Sequence, residues 1–425
     1  MKIYLLSFIF IINLIICNET KEEKSDSNFI DWGLKNDIEI SSLIGISSVN
    51  GVKKFVALED IESKKEILTI PYDITFNIEK ILDLLNSNEL KTQYEKFEKL
   101  DIQTYEPHHI NLQKEEIFLS YIFYLIQHEP NLYNNTKFYE KYKLYLSSIK
   151  NYLPKSPLFY NTEQIEYLSG TYLGKFHDRI KKLFQEEIKV LKNESYYNKD
   201  IDFKDYAYNR LFTQNKGLEL LGHISMIPFL NLFDRDYIKF NARFIIERKR
   251  NVKIVTQKYI KKGEIIIVNS PKRSNVERMI FEGELNSYLV NYKENYIIPA
   301  FSPGLYYKYD IDDIELFNAY IINLIELDFD SKAINLYKNY SKLFNGEGGD
   351  AWAYGILFEN INFYKDYVKS FINERIDKIF DDDYDRKHIE REMQGELKVL
   401  DRTLAFIKHK VDQYKKNEKK GTTDL

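Results

Sequence analysis

Gly263-Glu264-Ile265-Ile266-Ile267-Val268-Asn269-Ser270-Pro271-Lys272-Arg273-Ser274-Asn275 reads as one strand that stops in a polar word. Lys261 and Lys262, ahead of Gly263, supply the turn; Glu264 to Val268 is β-branched and apolar, and Pro271 ends the ladder. Two further strands precede it, Phe240 to Glu247 and Val252 to Gln257. Near the other end of the chain, Lys54 to Ala57 and Glu66 to Ile70 read as short strands around the charged turn Asp60 to Lys65, closed by Pro71.

Between these two β regions the apolar spacing is helical. From Ile78 to about Asn215 it repeats at three and four residues, with a buried helix expected at Glu116 to His128 and a long one at Thr162 to Lys192. The tyrosine-rich stretch Tyr133 to Tyr145 reads as core and surface helix rather than as a ligand platform. After Ile298 the pattern turns helical again, with segments near Asp312 to Asp328, Ala351 to Phe380 and His388 to Tyr414. The fold class expected is therefore α+β: a β unit over 29–298 interrupted by a helical insert at 78–215, then an all-α C-terminal domain over 299–414 and a lysine-rich tail over 415–425.

Composition narrows the function classes. Charged residues make up 30% and hydrophobic ones 44%, which is globular, while a net charge of −4 with interspersed signs points to neither nucleic acid nor an anionic membrane surface. Met1-Lys2 followed by an apolar run from Ile3 to Ile16 reads as a signal peptide over 1–17, with a polar linker over 18–28. The run falls short of the ~20 residues that a span needs, so a secretory-pathway setting, ER lumen or secreted, is expected, with no membrane span in the mature chain. The single cysteine, Cys17, leaves no disulfide or thiolate metal site downstream. Asn18, Asn134, Asn193 and Asn339 open Asn-x-Ser/Thr sequons, candidate glycan positions in a lumenal glycoprotein.

Those words in that order resemble the SET-domain protein methyltransferases of the Rubisco large-subunit and actin-histidine type. Asp31-Trp32, Ala57-Leu58-Glu59-Asp60-Ile61 and Ile70-Pro71 are similar to the family's opening β unit. Tyr142 to Pro154, Pro157-Leu158-Phe159 and Leu168-Ser169-Gly170-Thr171 are similar to its insert, Gly263-Glu264 with Lys272 to Asn275 to its closing motif, and Glu390 to Leu404 to its helical substrate-binding domain. The resemblance implies an S-adenosylmethionine cofactor and a protein or peptide partner carrying lysine or histidine.

It also implies where the chemistry should sit. Methyl transfer from a sulfonium is an in-line displacement, so the protein must align two centres and keep the amine neutral in a dry channel. The family's orienting tyrosine falls on Ser270, whose hydroxyl has a much shorter reach than a phenol. The cofactor's Gly-x-Gly turn falls on Val52-Lys53-Lys54 after Gly51, and its Asn-His pair on Asp234 and Arg235, or in a shifted register on Asn231 and Leu232. The insert's Ser-Arg pair becomes Thr213-Gln214, and an aromatic Tyr-Gly-Phe word becomes Glu282-Gly283-Glu284. Two readings follow: a catalytically degenerate SET-like protein, a pseudoenzyme that binds a polypeptide, or an active S-adenosylmethionine-dependent N-methyltransferase in which Tyr288 or Tyr292 fills the space above Ser270.

No metal site is expected. Asp381, Asp383, Asp385 and Glu392 have the spacing of a calcium loop, but Arg386 stands where its sharp turn needs glycine, so an acidic helix start is the preferred reading. His108-His109 read as a loop.

Overall fold

The protein is described by a computed structural model. It covers residues 28–421 apart from 50–51, 101, 103–109, 130–132, 150–154, 194–199, 237–238, 248–250, 271–272, 274, 284–349, 375 and 377–382.

The β unit begins with β1 (Glu39–Ile40), β2 (Ile44–Val49), β3 (Val52–Ala57) and β4 (Glu66–Pro71). β2 and β3 pair antiparallel, with Val49 opposite Val52. The chain then enters the insert, helices α1 (Ile78–Leu85), α2 (Asn88–Glu98), α3 (Ile110–His128), α4 (Lys137–Ile149), α5 (Thr162–Leu168), α6 (Tyr172–Asn193) and α7 (Phe203–Lys216). It returns through β5 (Leu218–Leu220), β6 (His223–Ser225), β7 (Asp234–Asp236), β8 (Ala242–Ile246), β9 (Asn251–Thr256) and β10 (Ile267–Asn269). A short helical turn at Asn275–Glu277 runs into a π-helical turn at Arg278–Glu282, and the C-terminal part contains α8 (Asp350–Glu374) packed against α9 (Asp383–Gly421). The α+β class with a helical insert and a C-terminal helix pair is as expected.

One expectation needs correction. Thr162 to Lys192 is two helices, because Ser169 caps α5 and Thr171 turns the chain into α6. Gly174 sits over the Leu168 carbonyl, so close that a Cβ there would clash with backbone.

The main sheet runs in the order β1-β4-β9-β8-β10-β7, antiparallel until β10, which pairs parallel with both β8 and β7. β3 reaches the strand entering β10: Gly263 N–H donates to Ala57 C=O at 2.8 Å and Ala57 N–H to Glu264 C=O at 2.9 Å. The two sequence words Ala57 to Ile61 and Gly263-Glu264 therefore meet directly. Gly263 turns at φ +83°, a left-handed conformation that explains glycine after Lys261-Lys262.

Aromatic rings join the sheet to the insert. Phe29 stacks on Phe229 at 4.2 Å, and Trp32 donates its indole N–H to the Lys141 carbonyl at 2.9 Å. Tyr133, Tyr142 and Tyr145 are buried, which places this tyrosine-rich stretch in the core as expected. Burying the phenols raises the pKa of both Tyr142 and Tyr145 above the usual tyrosine range.

Candidate functional site

Three of the sequence-derived positions converge. Lys54 projects from β3 and its Nζ lies 2.7 Å from Asp234 Oδ2 on β7, with both side chains half-buried. Arg235, next on β7, sends its guanidinium to the C-terminal end of α7: it donates to the carbonyls of Asn215, of Lys216 at 3.3 Å and of Gly217 at 3.5 Å. Those are the carbonyls a helix leaves without partners, and a cation there also opposes the negative end of the helix dipole. The Arg235 guanidinium lies over the Phe244 ring as well, 5.5 Å from its centroid.

Ser270 follows β10 one strand over. Asn269 stands in register with Asp236, and the Ser270 N–H donates to the Asp236 carbonyl at 3.3 Å. The register thus brings Ser270 beside the Asp234-Arg235-Asp236 strand. Asn231 goes elsewhere: its Nδ2 points to Ser148 Oγ on α4 at 3.5 Å, and its Oδ1 is buried without a hydrogen bond. Gly51, Glu284, Tyr288, Tyr292, His108 and His109 lie outside the described residues.

Sequence reasoning passed over the rest of this neighbourhood. Lys216, at the end of α7, donates to the Phe233 carbonyl at 3.3 Å. Burial pushes its pKa down to about 8; Arg235 and Lys54 push the same way, against Asp234 and Glu282. Arg273 donates to Asn215 Oδ1 at 2.6 Å and pairs with Glu282 at 3.2 Å. Arg278, 1% exposed, lies 3.3 Å from Glu282 and 3.6 Å from Asp236. Two arginines therefore offset the Glu282 carboxylate. Thr213 is buried and shares a hydrogen bond with Ser120, while the Gln214 carbonyl accepts from Arg273 at 3.4 Å. The signal that could have found this cluster is the cations Lys216, Arg273 and Arg278, which stand at the end of the helical insert and beside the closing motif.

From Asp383 the acidic stretch is a helix start, and Asp381 lies outside the described residues. Asp383 opens α9 and accepts from Arg386 and Lys387, which hold its carboxyl below the usual range, while Glu392 is buried two to three turns further on. Among the described residues, no group of three or more His, Cys, Asp or Glu could hold a metal ion, and no helix is long and apolar enough to cross a membrane.

This architecture defines a SET-domain methyltransferase-like fold. The chain is similar to the SET domain of LSMT bound to lysine and AdoHcy, with a TM-score of 0.58 and 14% identity over 92% of this chain and 93% of that one. It is also similar to Rubisco LSMT bound to AdoMet, with a TM-score of 0.56 and 14% identity over 91% and 92% of the two chains. The SET domain of LSMT bound to MeLysine and AdoHcy gives 0.56 at 13% identity, with the same coverage. No family model matches the sequence, and no curated protein does.

Proposed function

We propose that this chain is a SET-like protein of protein-lysine methyltransferase lineage that has given up methyl transfer and binds a polypeptide, in the secretory pathway, between its β unit and its C-terminal helices. The Lys54–Asp234 ion pair is the observation that carries this reading. It joins the segment matched to the cofactor's glycine turn to the position matched to its asparagine, so both cofactor words are engaged with each other. Arg235, at the histidine position, is committed to the end of α7.

The residues present do not fit S-adenosylmethionine. Its reactive centre is a sulfonium cation, and among the described residues this neighbourhood holds Lys54, Lys216, Arg235, Arg273 and Arg278 against Asp234, Asp236 and Glu282. A surplus of positive charge opposes a second fixed cation. Seating the donor would also require opening the Lys54–Asp234 pair, at a cost on the order of 1 kcal/mol for a half-buried pair. Ser270 offers only a short hydroxyl where an acceptor amine needs to be oriented. The leader Ile3 to Ile16 supports the lumenal setting.

The alternative is an active S-adenosylmethionine-dependent lysine or histidine N-methyltransferase. It draws support from the extent of the fold match, which spans nine-tenths of structures bound to AdoMet and to lysine. Incubating the full chain with tritium-labelled S-adenosylmethionine and a lysine- and histidine-rich protein separates the two. No protein-bound label is expected, and label above a no-enzyme control overturns the first reading. Screening an immobilised peptide library, followed by hydrogen exchange with a bound peptide, tests the second half of the proposal: protection should appear on both the β7–β10 edge and α9, and protection confined to the outer face of the insert contradicts it.

A further inference from the structure

Glu392 and Glu396 stand one turn apart on α9, 0% and 1% exposed. Both carboxyl oxygens of Glu392 and the Oε2 of Glu396 are buried without a hydrogen-bond partner. The other oxygen of Glu396 accepts from the Tyr364 hydroxyl on α8 at 2.9 Å, and that hydroxyl accepts from the Tyr172 backbone N–H at 2.9 Å. The two tyrosine rings lie 4.2 Å apart. Tyr172 is the first residue of α6, so this relay ties the C-terminal helix pair to the insert. Beside it, Gly170 leaves just enough room for the Tyr367 ring, which a Cβ would strike.

Charged groups stand on each element packed against the pair. On α8, Lys365 pairs with Asp401, and Glu359, Asp366 and Lys369 line the same helix. The turn at Asn275–Glu277 brings the buried Glu277, a further acid, against α9. On α9 itself His388, Arg391, Lys398 and Arg402 have partners of their own, and on α6 Lys175 does too. Among the described residues none donates to Glu392. Two carboxyls in such a place are stable only when neutral.

We propose that Glu392 and Glu396 form a pH-operated catch, which when neutral keeps α9 and Tyr364 seated against the insert and when ionised releases the C-terminal helix pair from it. Burial holds Glu392 up at about 8, and burial plus its neighbour raises Glu396 well above its ordinary value. A carboxyl whose folded value is raised binds more protons in the closed state. Closure is therefore complete below the ordinary value of 4.5 and weakens as pH rises towards about 8, by roughly tenfold per pH unit for each such group. The catch does not depend on whether a methyl donor binds.

Hydrogen–deuterium exchange on the full chain, corrected for intrinsic rates, tests this between pH 5.5 and 9. Peptides spanning Tyr172 and residues 388–400 should lose protection by about tenfold or more per pH unit while β4 and β9 keep theirs. Glu392→Gln, which has the same shape but no charge to lose, should flatten that slope. Equal protection at all pH values in the unmodified chain overturns the proposal, as does a Glu392→Gln/Glu396→Gln variant that follows the unmodified profile. If the variants fail to fold, the slope in the unmodified chain still decides, because loss of protection on β4 and β9 in step with Tyr172 means global unfolding and also overturns it.

Discussion

Lys54 Nζ lies 2.7 Å from Asp234 Oδ2, a contact between two strands 180 positions apart. Asp234→Asn keeps the shape and removes the counter-charge from a lysine that is 18% exposed. About 1 kcal/mol of stability should go with it, a fall of roughly 1–2 °C in Tm for a chain of this size. A double-mutant cycle with Lys54→Met checks it, since the coupling should be of the same size and additivity of the two losses would show that the pair does not act together.

Lys216 should make the chain more stable as the solution turns alkaline. Its folded pKa, about 8, lies below the ordinary 10.5, so over that window the unfolded chain binds the extra proton and stability rises with pH. Lys216→Met should raise Tm at pH 7 and abolish the rise between pH 8 and 10, measured by thermal melts at constant ionic strength. Glu392 and Glu396 work in the opposite sense, their raised folded values making stability fall as pH rises, so the Lys216 contribution is read from the difference between the unmodified chain and Lys216→Met at each pH.

Gly283 closes the π-helical turn at φ +74°, and a Cβ there would come within 2.7 Å of the Lys155 backbone. Gly283→Ala should cost on the order of 1–3 kcal/mol through a strained left-handed residue and displaced backbone. Chemical denaturation of the purified variant measures it, with Gly222→Ala, positive in φ but open to solvent, expected to lose less.

The architecture was legible where apolar and β-branched residues cluster between turn signals. β3, β4, β8, β9 and α3 all fall within segments read that way, although of these only β9 buries alternate residues. β7 was not legible, because Asp234-Arg235-Asp236 has no apolar residue and becomes a strand only by pairing with β10. The β5–β6 hairpin was missed as well, since its turn depends on Leu221 and Gly222 both adopting positive φ. For the candidate site, Ser270, Lys54, Asp234 and Arg235 were singled out in one dimension, as the positions on which the resemblance places the motif words. What could not be read is that Lys54 and Asp234 satisfy each other, or that Arg235 caps α7, because both depend on distances across the sheet. The buried Glu392 looked like the end of an acidic word, and only packing reveals it as core.

Asn134 is exposed in the turn ahead of α4, and Asn193 is exposed at the end of α6. Thr136, two residues after Asn134, caps α4 by accepting from the Tyr139 N–H at 3.2 Å. With passage through the secretory pathway, Asn134 should carry a glycan. Treating protein expressed through that pathway with an amidase that removes Asn-linked glycans should lower its mass, and Asn134→Gln should remove one glycan's worth of that change.

The central proposal is that the neighbourhood of the Lys54–Asp234 pair does not take S-adenosylmethionine. Isothermal titration of the purified full chain with S-adenosylmethionine tests it directly, in parallel with Asp234→Asn. The account expects no heat of binding at millimolar ligand; a saturating isotherm with micromolar Kd would contradict it.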